Sequence, residues 1–389
     1  MAEPSSSAGR EHGVSRLAFL DPIRVGLTIL VILHHLSITY GGGGSWYYKE
    51  ADAPELTRLL LTVFTATNQS FFMGFFFLIA GYLMPQGLVR KGVAAYVSDR
   101  AIRLGVPVFL FGYFLDPLTN ALATGAKSGD VVGDLLMRIQ RNDFGLGPLW
   151  FNQALMIGAL VWIFMPRQTR VDRLLNRLPG PHTGIALAAL AWATLAFLLR
   201  LAVPVGQNVI GMQLGYFASY IVLFFGGAWA AQHRLLEHVS RRHALPWLVV
   251  SLISFPMLWI FATRSGAFST DVWRGGWHIA ALVYAVWEPL VATGIIVGAL
   301  AFARRLYPVG RPWMTRLAKA SYAAFIIHPP VVVACSWMVR DWASTPALRF
   351  LLAGPLACLL AFAIGDALSR GLARMSFIQR ERLAAQPHA

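Results

Sequence analysis

Ten apolar runs, each long enough to cross about 30 Å of hydrocarbon, leave this chain little choice but a bundle of membrane-spanning helices. They cover residues 23–40, 58–84, 105–123, 148–165, 184–203, 214–231, 245–262, 277–303, 318–339 and 348–368. With 57% apolar and 13% charged residues among 389, the chain lacks the polar surface that a water-soluble globule of this size needs. The expected fold class is all-α and integral to the membrane, with the lipid bilayer as its solvent. Residues 1–18 read as a disordered cytoplasmic tail rather than a signal peptide, 19–372 as one ten-helix membrane domain, and 373–389 as a second cytoplasmic tail.

A formal charge of +15 would suggest nucleic acid in a soluble protein. Here it resolves into an alternation from loop to loop. One set carries Arg90, Lys91, Arg100 and Arg103; Arg167, Arg170, Arg173 and Arg177; Arg234, Arg241 and Arg242; and Arg304, Arg305, Arg311, Arg316 and Lys319, with Arg10, Arg16, Arg370, Arg374, Arg380 and Arg382 towards the ends. The other set is poor in cations and holds Glu50, Asp52, Glu55, Asp130, Asp134, Asp143 and Asp271. Short loops rich in Lys and Arg resist translocation, so both termini are expected in the cytoplasm, and no nucleic-acid partner is expected. The longest loop, 123–147, has room for a brief helix. Gly41, Gly42, Gly43 and Gly44 read as a flexible outer loop, and Trp46, Tyr47 and Tyr48 as part of the aromatic belt. The two cysteines, Cys335 and Cys358, sit inside apolar runs, which argues against a disulfide framework or a cysteine zinc site; no metal is expected. No internal repeat is visible, which disfavours inverted-repeat transporter architectures.

Ionisable groups inside the runs are costly and therefore point to function. Arg24 and His35 lie on one face of the first run, about 16 Å apart along a helix. His34 points about 100° away and reads as a packed histidine. Glu288 sits near the middle of the eighth run, before Pro289, and needs a proton or a partner, with His35, His328 or an arginine as candidates. His328 stands mid-run before Pro329 and Pro330. Asn68, Gln69, Ser70, Asn152 and Gln153 read as interhelical glue. Arg100 and Arg103 share a helical face from which two guanidiniums can fork onto phosphate oxygens. Together these residues describe a polar intramembrane site that opens near arginines and suits an anionic cytosolic ligand.

The pattern from Arg24 to His35, with ten residues between, resembles the opening motif of the acyltransferase-3 family of membrane O-acyltransferases. The aromatic run from Phe72 to Leu83 is similar to the family's second-span motif, except that Ala80 stands where a serine is common. Arg100 to Pro107 resembles its Arg-x-x-Arg loop, Gly147 to Phe151 its Gly-x-Leu-Trp-Phe signature, and Ser321 to Pro329 its penultimate-span motif. The resemblance implies transfer of an acyl group from cytoplasmic acyl-CoA, with acetyl-CoA or succinyl-CoA expected, to a hydroxyl of a glycan or similar acceptor. It implies a multi-pass protein of the bacterial inner membrane and a bare membrane unit without a further C-terminal domain. His35 is then expected as general base, with Glu288 stabilising the imidazolium, although a covalent acyl-histidine is an open alternative. Arg24, Arg100 and Arg103 are expected to hold coenzyme A, and Trp150, Asn152, Tyr322 and His328 to contact the acceptor. A proton-coupled transporter or flippase of an anionic or glycan substrate is the rival reading.

Overall fold

The computed structural model describes residues 17–50, 53–165, 180–267, 269–342 and 345–384. Among them the secondary structure is helical, apart from an isolated bridge between Val209 and Met212. The arginines expected at 167–177, most of the N-terminal tail and the last five residues lie outside the described residues.

Ten helices are long and apolar enough to span a membrane. In chain order they are α1 (Leu20–Thr39), α2 (Glu55–Lys91), α3 (Val93–Gly125), α5 (Gly147–Phe164), α6 (Pro181–Ala202), α7 (Leu214–Gln232), α8 (Arg241–Ser265), α9 (Ile279–Leu306), α10 (Pro312–Val339) and α11, which crosses over Pro346–Arg374 and continues to Ala384. The short α4 (Val131–Gln140) fills the long loop and is capped by the Asp130 carboxylate, which accepts the Gly133 N–H at 2.8 Å. The helix of α11 therefore runs through much of the stretch that the sequence reads as a tail.

Prolines decide the local geometry. A proline has no N–H for the carbonyl four residues earlier, and its ring crowds that carbonyl. Ahead of Pro107 and Pro117, α3 opens into π-helical turns at Ala101–Gly105 and Phe111–Leu115. Pro107 leaves the Arg103 carbonyl without its helical donor, and the Tyr322 hydroxyl of α10 supplies one at 2.8 Å. In α10, Pro329 likewise leaves the Phe325 carbonyl free, and the His328 ring takes it at 2.5 Å through Nδ1.

Helix α1 lies inside the bundle against α2, α10 and α11, while α2 packs on α7 and α8 on α9. The apolar window of α9 is 67% shielded by protein and that of α8 only 22%, so α8 presents Leu252, Ile253, Met257 and Ile260 outward to lipid. No hydrophobic force separates helix from lipid in a bilayer, so close backbone approach carries much of the packing. At the α2–α7 crossing a Cβ on Gly81 would overlap the Phe224 carbonyl, and one on Gly227 would overlap the Leu78 carbonyl. Gly226, one residue away, faces open space. Gly227→Ala is therefore expected to cost about 1–3 kcal/mol, read as a lowered melting temperature in detergent, while Gly226→Ala leaves that temperature unchanged or slightly raised. Equal behaviour of the two variants would rule out the close crossing.

Candidate active site

Helix α1 carries His35 into the bundle, and α10 brings His328 beside it. The two rings lie nearly parallel, 5.2 Å between centroids and 15° apart. His328 is fully buried, and its ring is oriented by the carbonyl that Pro329 released: with the Nδ1 hydrogen on Phe325, Nε2 is left as an acceptor with no protein partner. His35 is half-buried, and its Nδ1 also lacks a partner. His34 turns away, as its position on the helix requires, and stacks on Phe72 at 4.9 Å. Asn68 of α2 ties this part of α1 in place by donating to the Leu30 carbonyl at 3.0 Å.

The third ring on His35 is one the sequence reads otherwise. Trp46, read from the sequence as part of the aromatic belt, folds back from the loop after α1 and stacks on His35 at 3.7 Å and 15°. It is also parallel to His328 at 5.8 Å. Tyr47 donates to the buried Asp116, and Tyr48 is buried. The glycine loop that reads as flexible is held by hydrogen bonds, with Gly42 donating to the Ser37 carbonyl at 2.8 Å and Gly43 to the Thr62 hydroxyl at 3.1 Å. Stacking on His35, the bond to Asp116 and the tether to α2 give these three aromatic residues protein partners beyond any interfacial preference.

Asn152 and Tyr322 are brought together. Asn152 donates to the Tyr322 hydroxyl at 2.8 Å and leans on the Leu104 carbonyl at 3.3 Å, while Tyr322 donates to Arg103. This joint ties α5 and α10 to the widened turn of α3, directly beside the Arg-x-x-Arg segment. Its two arginines are differently engaged: Arg100 lies over the Tyr96 ring at 5.0 Å with Nε buried and unpartnered, whereas Arg103 is exposed and paired with Asp99 at 2.8 Å. Arg24 sits at the start of α1, one-third exposed, 3.9 Å from Asp21. Trp150 stands two aromatic rings away from His328, stacked on Tyr220 at 5.3 Å, with Phe151 and Phe325 in between.

Glu288 is not beside either histidine. Of its possible partners the structure supplies an arginine, Arg200 of α6, at 2.5 Å, with both side chains buried. Arg200 also donates to the Gly215 carbonyl at 2.9 Å and lies over the Tyr284 ring at 4.7 Å. The expectation that Glu288 steadies the His35 imidazolium directly is corrected accordingly: the guanidinium takes the carboxylate because an ion pair offsets more of the burial cost than a neutral imidazole does. Arg200 escapes a reading of the sequence because it lies near the end of its apolar run, where arginines commonly snorkel to the interface. An unpaired glutamate mid-membrane was the signal that could have led to it. An open cleft of about 400 Å³, lined by Leu201, Asp271, Arg274 and His278, borders the Arg200 backbone rather than the histidines. Among the described residues no group of three His, Cys, Asp or Glu side chains gathers to hold a metal.

An α-helical membrane bundle with a buried histidine cluster between a basic end and an aromatic strap is the setting in which the family resemblance acquires a structure. The chain belongs to the acyltransferase-3 family: the family's acyltransferase domain matches residues 17–366. It is therefore a membrane acyltransferase by family. It is also similar to glucans biosynthesis protein C of Escherichia coli K12, 33% identical over 90 residues, which are 23% of this chain and 22% of the relative. The same protein from the O1:K1 / APEC and O9:H4 (strain HS) strains matches with equal identity and coverage. The chain thus spans about a fifth of the length of these curated relatives. No solved structure matches it.

Removing one partner of a buried ion pair strands the other, which typically costs about 3–5 kcal/mol. Arg200→Ala is expected to lower the detergent melting temperature sharply, and the paired change Arg200→Met with Glu288→Leu to restore most of the loss. A single Arg200→Ala variant as stable as wild type would show that the pair does not hold α6 to α9.

Proposed function

We propose that this chain is an O-acyltransferase of the bacterial inner membrane that moves an acyl group from cytoplasmic acyl-CoA to a hydroxyl of a glycan or other cell-envelope acceptor. The observation that carries the reading is His35, whose buried Nδ1 has no hydrogen-bond partner among the described residues, on the same helix as Arg24. In this reading both termini face the cytoplasm. Arg24, Arg100 and Arg103 receive the phosphates of coenzyme A, with Arg103 exchanging Asp99 for phosphate. The buried, unpartnered Nε of Arg100 supports an anionic ligand there. The pantetheine arm then runs the roughly 16 Å from Arg24 to His35. Acetyl-CoA and succinyl-CoA are the donors to try first.

His35 acts as general base. It takes the proton of the acceptor hydroxyl as the oxygen attacks the thioester carbonyl; the new C–O bond forms, the C–S bond breaks, and the proton passes from His35 to the departing thiolate. His328, with Nε2 free to accept a hydrogen bond, orients the hydroxyl, and Tyr322 and Asn152 shape the wall between donor and acceptor. Trp150 supports that wall from behind. Glu288, paired with Arg200, braces α6 against α9 and takes no part in the proton transfer. The likeness to a glucans biosynthesis protein supports a glucan among the candidate acceptors.

The test is thioester consumption by purified protein in detergent with acetyl-CoA or succinyl-CoA and candidate glucans. His35→Ala is expected to lower coenzyme A release by roughly 10²–10⁴-fold while still binding coenzyme A. Arg24→Ala is expected to weaken that binding by about tenfold, as loss of one charge-assisted contact does. Neither binding nor turnover of acyl-CoA, together with proton-coupled uptake of a glycan into proteoliposomes, would overturn the acyltransferase reading in favour of a transporter.

A further inference from the structure

Trp46 approaches His35 from the end of α1 opposite Arg24, since its loop follows Thr39 while Arg24 lies at the first turn. The strap that carries it is fastened at several points. Gly41 and Gly44 take left-handed φ values of 113° and 134°, which let the chain reverse into the bundle. Beyond Trp46, Tyr47 donates to Asp116, Lys49 to the Gly44 carbonyl at 2.8 Å and the Glu50 N–H to the Thr39 carbonyl at 3.0 Å. The Glu50 carboxylate closes the strap onto α11 through Arg349 at 2.6 Å.

What sets this indole apart is the ring it covers, since buried indole N–H groups without a partner also occur at Trp229 and Trp337 among the described residues. A tryptophan beside a membrane interface ordinarily keeps its N–H on a hydrogen-bond partner. Here Nε1 is buried and has no hydrogen-bond partner among the described residues. The strap thus holds the ring flat over the histidine although its one polar atom is unsatisfied.

We infer that Trp46 is a positioning residue that covers the acceptor side of His35, keeping water off the acyl thioester until a hydroxyl-bearing ring displaces the indole. The inference rests on the reading of His35 as the reacting base. It follows that donor and acceptor reach His35 from opposite ends, and that the acceptor completes the site by moving Trp46. The displaced indole can then offer its N–H to an oxygen of the acceptor, the bond it lacks in the covered state. A hydroxylated ring with a flat apolar face, such as a saccharide, suits both exchanges.

The test needs no acceptor. Full-length protein in detergent is treated with diethyl pyrocarbonate, and ethoxyformylation of His35 is followed by fragment-level mass spectrometry that separates it from His34; acetyl-CoA hydrolysis is followed in parallel by thiol release. Trp46→Ala is expected to speed His35 modification by about tenfold, since protection of a covered group follows the free energy of uncovering it, and to create acceptor-independent thioester hydrolysis that Trp46→Ala/His35→Ala lacks. Tyr47→Phe keeps the indole but cuts the strap from Asp116, and is expected to act in the same direction with smaller effect. It serves where Trp46→Ala does not fold. Unchanged His35 reactivity in both variants overturns the cover. Faster modification without any thioester loss upholds the cover and counts instead against acyl transfer.

Discussion

Inside hydrocarbon a backbone carbonyl without a donor finds no water to replace it, and much of this site follows from that constraint. Two prolines create such carbonyls in different helices. Pro107 exposes that of Arg103 and Pro329 that of Phe325, and in each case a polar side chain of α10 closes the gap: Tyr322 for the first, His328 for the second. The consequence is chemical as well as structural. Satisfying Phe325 orients the His328 ring and leaves Nε2 bare, while satisfying Arg103 pins the widened start of α3 to the wall of the histidine cluster. The prolines that look like breaks in the sequence are what orient the polar groups.

The polar content of the bundle falls into two unequal parts. Around His35 the imidazoles are held by stacking and by carbonyls, and among the described residues none of them forms an ion pair with a carboxylate. Around Arg200 and Glu288 full charges are buried and mutually compensated. A neutral base surrounded by neutral groups can accept a proton and give it up again. A compensated ion pair resists both, because either change strands a charge. The proposed chemistry falls in the first part, and the second braces α6 against α9.

How much of this was legible in the sequence follows from the range of each interaction. The ten spans were legible because crossing a bilayer imposes length and apolarity on every segment separately. The Arg24 and His35 relation was legible because both residues ride one helix, where spacing converts into distance and face. The tie of Tyr322 to Arg103 spans 219 positions, the pairing of Arg200 with Glu288 spans 88, and neither leaves a local pattern. The contact of Trp46 with His35 was not legible for a related reason. An aromatic residue in an outer loop has a general preference for the interface, and only the neighbours that tether its strap, Thr62 on α2, Asp116 on α3 and Arg349 on α11, override it.

That strap also bears on why the proposed base would stand inside the helix bundle. A thioester exposed to water can be lost to hydrolysis, and a base that activates a hydroxyl can activate water equally well. Depth alone excludes water only while the helices pack closely, yet an acceptor must still enter. A removable aromatic cover reconciles the two demands: the flat ring excludes water from the imidazole by contact area, and an acceptor of similar shape can take its place. The unpartnered indole N–H fits this account, since a cover fully satisfied in the closed state would hold too firmly to give way to the acceptor it awaits.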